Sequence, residues 1–110
     1  MIGAVVLAAG ASSRYGTSPP KQAVFLPRVL AALRASCVDE IVVVTEREIA
    51  DSMRWLARMH AARVEGSGAV GVAALLSRGG WDGPVAAIVS GGNVDQSVWG
   101  EIVGETAAVA

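Results

Sequence analysis

The sequence predicts a three-layer α/β sandwich: a parallel sheet of three to four strands with helices on both faces. Three observations carry this expectation. Short runs of β-branched apolar residues recur at Ile2–Ala8, Glu40–Val44 and Val85–Val89. The stretches between them place apolar residues at helical spacing. The runs are also apolar at successive positions, as parallel strands covered on both faces require.

Taken in order, Ile2–Ala8 reads as a buried strand cut off by Gly10, and Ala11–Pro20 as loop. Val29, Leu30, Leu33 and Cys37 fall at helical spacing, so a helix is expected over Pro27–Ser36 with the proline in its first turn. "EIVVV", Glu40–Val44, is the second strand. Thr45 and Glu48 form a capping-box pattern that opens a helix from Glu46 to about Ala61. That helix lines up Ile49, Met53, Leu56 and His60 on one stripe and sets Arg47 four residues before Asp51. Arg63–Glu65 reads as a brief strand. Ser67 is expected to cap a small-residue helix that runs through Leu76 and stops at Gly79 and Gly80. Val85–Val89 is the next strand and Asp95–Val103 the last helix, with the alanine-rich end fraying. Strand-to-strand crossovers should be right-handed.

Composition narrows the function classes. One hundred and ten residues suit one domain spanning 1–110. Hydrophobic residues make up 53% and mean hydropathy is +0.49, inflated by Ala, Val and Gly. A homodimer, including a strand-exchanged one, would absorb the apolar excess and the sheet edges. A net charge of −1 supplies no long-range pull on nucleic acid or an anionic membrane. One cysteine, Cys37, excludes an internal disulfide and suits a reducing compartment. No Lys or Arg precedes the first apolar run, so no secretory leader is expected. No run approaches the roughly 18 apolar residues of a membrane span. The expectation is a soluble, cytoplasmic protein.

The stretch "VVLAAGASSRYGTSPPKQ", Val5–Gln22, carries the clearest chemistry. A strand that stops at small residues bares backbone amides, and basic residues at either end can help surround a polyphosphate. Arg14 and Lys21 are those residues, while Gly10 and Gly16 permit close approach. An ordinary strand-to-helix connection is the alternative. The stretch resembles the signature of nucleotidyltransferases of the molybdenum-cofactor and methylerythritol-phosphate cytidylyltransferase type. It matches their L-A-A-G, S-x-R and P-K pattern at Leu7–Gly10, Ser12–Arg14 and Pro20–Lys21, and the likeness continues through "RVLAALRASCVDEIVVVT" to Thr45. The resemblance implies nucleotide or phosphate contacts at Ala8, Ala9, Gly10, Ser12, Arg14 and Lys21. Two departures stand out. Pro27 replaces a longer family segment, and the family's magnesium-holding aspartate and acceptor surface, which follow the second strand, have no counterpart. Nucleotidyl transfer depends on positioning and metal charge neutralisation, so the resemblance implies binding without turnover.

Residues 45–95 resemble a different family, the closing part of pyridoxal-phosphate threonine dehydratases and serine racemases. "VEGSGAVGVAALLS" (Val64–Ser77) and "VSGGNVD" (Val89–Asp95) carry the likeness. It implies a vestigial cofactor contact at Ser90, since the serine of the S-G-G-N turn bonds the pyridine nitrogen in that family. Gly66 stands where the family usually has proline. The Schiff-base lysine and phosphate cup come from earlier in that family's chain, and the lone lysine here is Lys21, in the other half. A plain turn after a strand is the alternative reading of "SGGN".

"GSGAVG", Gly66–Gly71, also satisfies G-x-G-x-x-G, but the preceding strand is short and no acid stands about twenty residues on. The dehydratase likeness accounts for these glycines. His60 should serve a helix C-terminal dipole, Cys37 should be a buried thiol, and no residue set has metal-ligand spacing. At least one of Trp55, Trp81 and Trp99 should be exposed or lie at a subunit contact.

Two signatures therefore meet at Thr45–Glu46. The leading expectation is an artificial or selected chimera, nucleotidyltransferase-like over 1–45 and threonine-dehydratase-like over 46–110. It would fold as a small Rossmann-like sandwich of structural character, with no catalytic residues, no metal and no cofactor. The alternative is a weak nucleotide- or anion-binding module running on the Gly10–Gly16 loop.

Overall fold

The computed structural model describes residues 2–8 and 21–104, with residues 21–24 described by backbone alone. The chain divides into two compact units, Met1–Glu46 and Arg47–Ala110.

The first unit is a β-α-β arrangement: β1 (Gly3–Ala8), α1 (Lys21–Arg34) and β2 (Glu40–Thr45). The two strands pair in parallel, with Gly3 opposite Glu40 and Ala8 opposite Thr45. The register is pinned at its start by a reciprocal pair of bonds. The Ile2 amide donates to Asp39 Oδ2 at 2.7 Å, and the Asp39 amide donates to the Ile2 carbonyl at 2.8 Å. A slip of one residue would turn every side chain of β1 to the opposite face, so this clasp matters. Before it, Ser36 ends the α1 connection: its hydroxyl donates to the Leu33 carbonyl at 2.5 Å and accepts from the Val38 amide at 3.3 Å.

The second unit is helical. It contains α2 (Glu46–His60, whose first residue closes the first unit), a 3₁₀ turn at Gly66–Ala69, α3 (Val70–Arg78) and α4 (Gln96–Val103). The buried residues of α2 are Ile49, Ser52, Met53, Leu56 and Ala57, spaced so that they form one stripe. Val64, Gly68, Ala69, Val72, Ala73, Ala74, Trp99 and Val103 complete the buried set of this unit. Ser52 lies in that set without being left unsatisfied. Its hydroxyl donates to the Ile49 carbonyl at 2.8 Å and stands 3.3 Å from the Ala69 carbonyl, so it ties α2 to the 3₁₀ turn. Arg54 makes the second tie, with Nε donating to the Ile102 carbonyl at 2.7 Å. It also pairs with Asp51 at 2.9 Å, one turn earlier, where the sequence pattern had offered Arg47.

The α/β class is as expected, and the strand boundaries of β1 and β2 agree with the sequence reading to within a residue. Five expectations are corrected. Among the described residues the sheet has two strands, not three to four. Arg63–Glu65 and Val85–Val89 are not in a ladder, and Ile88 is 92% exposed. Apolar β-branched composition signals a tendency to extend, but a strand needs a partner edge, and the second unit offers only helices among its described residues. Second, α1 begins at Lys21, so Pro27 stands inside the helix and not in its first turn. Reading proline as a start signal hid the six residues before it. Third, Cys37 is exposed, in the turn after α1, not a buried thiol. Fourth, His60 leaves the buried stripe: as the last residue of α2 it is exposed, with its ring edge-on to Trp55 at 5.0 Å. Ser67 also sits inside the 3₁₀ turn and does not cap α3, which begins at Val70 without a side-chain cap bond. The expected loop at 11–20 and the fraying terminus fall outside the described residues.

The close of α2 carries a testable strain. Ala61 follows the helix with φ +51, the left-handed region, while the Ala61 and Ala62 amides donate to the Ala57 and Leu56 carbonyls, each at 3.1 Å. Glycine is the residue that ends helices this way at no steric cost, whereas an L side chain costs roughly 1–2 kcal/mol there. Ala61 is exposed, so no packing is lost on replacing it. Ala61→Gly should therefore raise unfolding stability by about 1 kcal/mol in urea titration, against the usual sign for an added glycine.

Candidate functional site

The first candidate locus follows β1. Ala8 is the last residue of that strand and lies in register with Thr45, the last residue of β2. The segment after Ala8 thus departs from the carboxyl end of a parallel sheet, the end at which open α/β sheets place their ligand crevices. Lys21 opens α1 by backbone. Ala9, Gly10, Ser12 and Arg14 lie outside the described residues.

The second locus joins the glycine turn at 66–71 to the S-G-G-N turn. Gly68 is buried, and a Cβ built on it would stand 2.6 Å from the Ser90 carbonyl carbon and 3.0 Å from Val64 Cγ1. Only a residue without a side chain admits this approach of one backbone to another. Two residues before Gly68, a Cβ on Gly66 would meet Ile49 Cγ2 at 3.3 Å, so the turn is also pressed onto α2. At Gly71 the same construction places the Ala87 Cβ 3.6 Å away. Residues 87–91 therefore run across the start of α3. The Glu65 amide fastens the far end by donating to the Gly91 carbonyl at 2.7 Å. Gly91 has φ +76 and lies under the Glu65 side chain, whose Cγ would be 2.6 Å from an added Cβ.

Asp95 closes the locus as the N-cap of α4. Its Oδ1 accepts from the Ser97 hydroxyl at 2.6 Å, the Ser97 amide at 2.9 Å and the Val98 amide at 3.3 Å. The Ser97 hydroxyl first, then the Val98 and Ser97 amides, hold its carboxyl below the ordinary aspartate range, and Arg63 adds a smaller pull in the same direction. Arg63 also lies over the Trp99 ring at 5.3 Å. Trp99 is buried, and among the described residues its Nε1 has no hydrogen-bond partner. Trp81, the other tryptophan near the turn, donates its Nε1 to the Leu75 carbonyl at 3.0 Å, with Arg78 stacked 3.9 Å above its ring.

The structure thus puts Ser90 beside the glycine turn, contributing its carbonyl while its residue surface is exposed. Glu65 and Arg63 are the members that sequence reasoning missed. In the sequence Glu65 reads only as the end of a brief strand, and its pairing with Gly91 spans residues too distant for any periodicity to reveal. Among the described residues no group of three or more His, Cys, Asp or Glu side chains could hold a metal ion. None of the described helices is long and apolar enough to cross a membrane. Chemically, this second locus offers packing, a helix cap and backbone hydrogen bonds.

Comparison with known proteins gives two kinds of likeness. The model of the MobA-like NTP transferase domain matches residues 4–96. The chain belongs to that family. Curated proteins of another kind are also similar to it. L-threonine ammonia-lyase of Thermotoga maritima is 45% identical over 67 residues, covering 60% of this chain and 17% of that enzyme. Serine racemase of Oryza sativa subsp. japonica is 43% identical over 68 residues, 56% of this chain and 20% of the racemase. The catabolic L-threonine dehydratase of Staphylococcus aureus is 46% identical over 63 residues, 53% of this chain and 18% of the dehydratase. The chain spans about a fifth of the length of these relatives. No solved structure matches it significantly. A MobA-like domain pattern and a threonine-dehydratase-type fragment are therefore both present in this one chain, as a chimera would have them.

The close approach at Gly68 is open to direct test. Gly68→Ala should force the Ser90 carbonyl away and break the Glu65–Gly91 bond. Amide exchange at Glu65 should quicken sharply, with loss of stability beyond the roughly 0.5–1 kcal/mol that alanine otherwise gains over glycine. Unchanged exchange at Glu65 would show that the backbone contact is not made.

Proposed function

We propose that this chain is a chimera of artificial or selected origin with structural character and no complete active site. Its MobA-like part would supply a strand-loop-helix frame and its dehydratase-type part a helical unit. The observation that carries the reading is the seat of the S-G-G-N turn. The Ser90 carbonyl rests against Gly68, and the Gly91 carbonyl accepts from Glu65, so the turn's backbone is spent on packing.

Pyridoxal phosphate does not fit the residues at this turn. Its chemistry requires a lysine to form the Schiff base, and residues 47–110 contain none; Lys21 is the chain's single lysine. Ser90 is thus read as the vestige of a contact, with no step assigned to it. Among the described residues no group of three or more His, Cys, Asp or Glu side chains could hold a metal ion.

A second reading is favoured by the reach of the family match, which includes residues 8–21. In it, Ala8, Ala9, Gly10, Ser12, Arg14 and Lys21 retain weak affinity for a nucleotide or a simple anion. Calorimetric titration with CTP, GTP and ATP, with and without magnesium, separates the two. The structural reading expects millimolar or no binding, unaltered by Arg14→Ala and Lys21→Ala, and no Schiff-base absorbance band on adding pyridoxal phosphate. Submillimolar binding abolished by either substitution would establish the nucleotide reading instead.

A further inference from the structure

Pro84–Val89, "PVAAIV", has the chemistry of a strand and no strand partner among the described residues. Its placement is not arbitrary. Ala87 lies against Gly71 at the start of α3, and the Gly91 carbonyl is held by Glu65, so the segment is seated from one side. Its large apolar side chains nevertheless stay in the open: Ile88 is 92% exposed, Val85 49% and Val89 40%. From Gly83 to Val94 no residue carries a charge. Free strands are normally blunted by lysines, inward charges or proline, and here only Pro84, at the very start, serves that purpose.

The order of side chains points to what covers this segment. Around Ala87 the sequence is nearly palindromic, with Val85 and Val89 two residues to either side and Ala86 and Ile88 next to it. Paired antiparallel with an identical strand about Ala87, the segment sets Val85 opposite Val89 of the partner subunit and Ala86 opposite Ile88 of the partner subunit. Directly opposed β-branched residues are favourable cross-strand pairs, and the lack of charge removes any like-charge repulsion between copies. A self-complementary patch of this kind is what a two-fold dimer requires. A two-stranded ribbon is marginal alone, but each strand here is already backed by the glycine-lined start of α3.

We propose that Val85–Val89 is a homodimerisation strand that pairs antiparallel with the same segment of a second copy, with its two-fold axis at Ala87. This goes beyond the proposed lack of catalysis and does not depend on it. Light scattering across a concentration series should give twice the chain mass at the high end, falling twofold on dilution. In a Cys37→Ser background, Ala87→Cys should cross-link to a covalent dimer under mild oxidation, because the axis brings the two copies of residue 87 together. Ile88→Pro and Val89→Pro are tested side by side. Amides alternate between ladder and outward directions, so one of the two removes a ladder donor and should leave a monomer with unchanged helical circular dichroism. A monomer at every concentration would overturn the proposal. So would a dimer that persists in both proline variants, or one in which residue 87 fails to cross-link, as expected if the segment added to the edge of the partner's sheet instead.

Discussion

The second unit is organised by one constraint, the contact between the Gly68 backbone and the Ser90 carbonyl. With a side chain at Gly68 the two backbones could not meet, since even a single Cβ would collide with the carbonyl group. Once they meet, several things follow. The 3₁₀ turn sits low enough on α2 for Ser52 to reach the Ala69 carbonyl. Residues 87–91 are led across α3 past Gly71, and Glu65 closes the far end on Gly91. The chain then arrives at Asp95 placed to cap α4, whose Trp99 and Val103 join the buried set of the unit.

Much of this was legible in the sequence, for reasons that differ by element. The α2 stripe was readable because Ile49, Met53 and Leu56 repeat at helical period, and the Gly79 stop was readable from local chemistry alone. The strands β1 and β2 were readable because each is a short apolar run with a partner. Val85–Val89 has the same composition and failed, since composition does not report whether an edge is available to pair with. Pro27 misled in the opposite direction: proline favours first turns, yet α1 runs through it. His60 shows the limit of periodicity, which continued one step past the point where α2 stops being covered.

The candidate site was legible as motif and not as geometry. "SGGN" and "GSGAVG" were each visible in isolation, but their contact joins residues more than twenty positions apart. The signal that could have linked them is the occurrence of glycine in both, because close backbone approach favours glycine on the side that gives way. Glu65 and Arg63 carried no such signal. Their roles, over Gly91 and over Trp99, arise only from folding. Residues 5–22 keep a clear family pattern, and β1 ends at Ala8 in register with the end of β2 at Thr45.

The central claim is that the S-G-G-N turn is a packing element seated on the glycine turn. The most direct measurement is a nuclear Overhauser spectrum of the intact chain recorded with and without millimolar pyridoxal phosphate. The account predicts a strong cross-peak between the Gly71 α-protons and the Ala87 methyl, unmoved by the cofactor. Absence of that cross-peak, or its shift on adding pyridoxal phosphate, would contradict it.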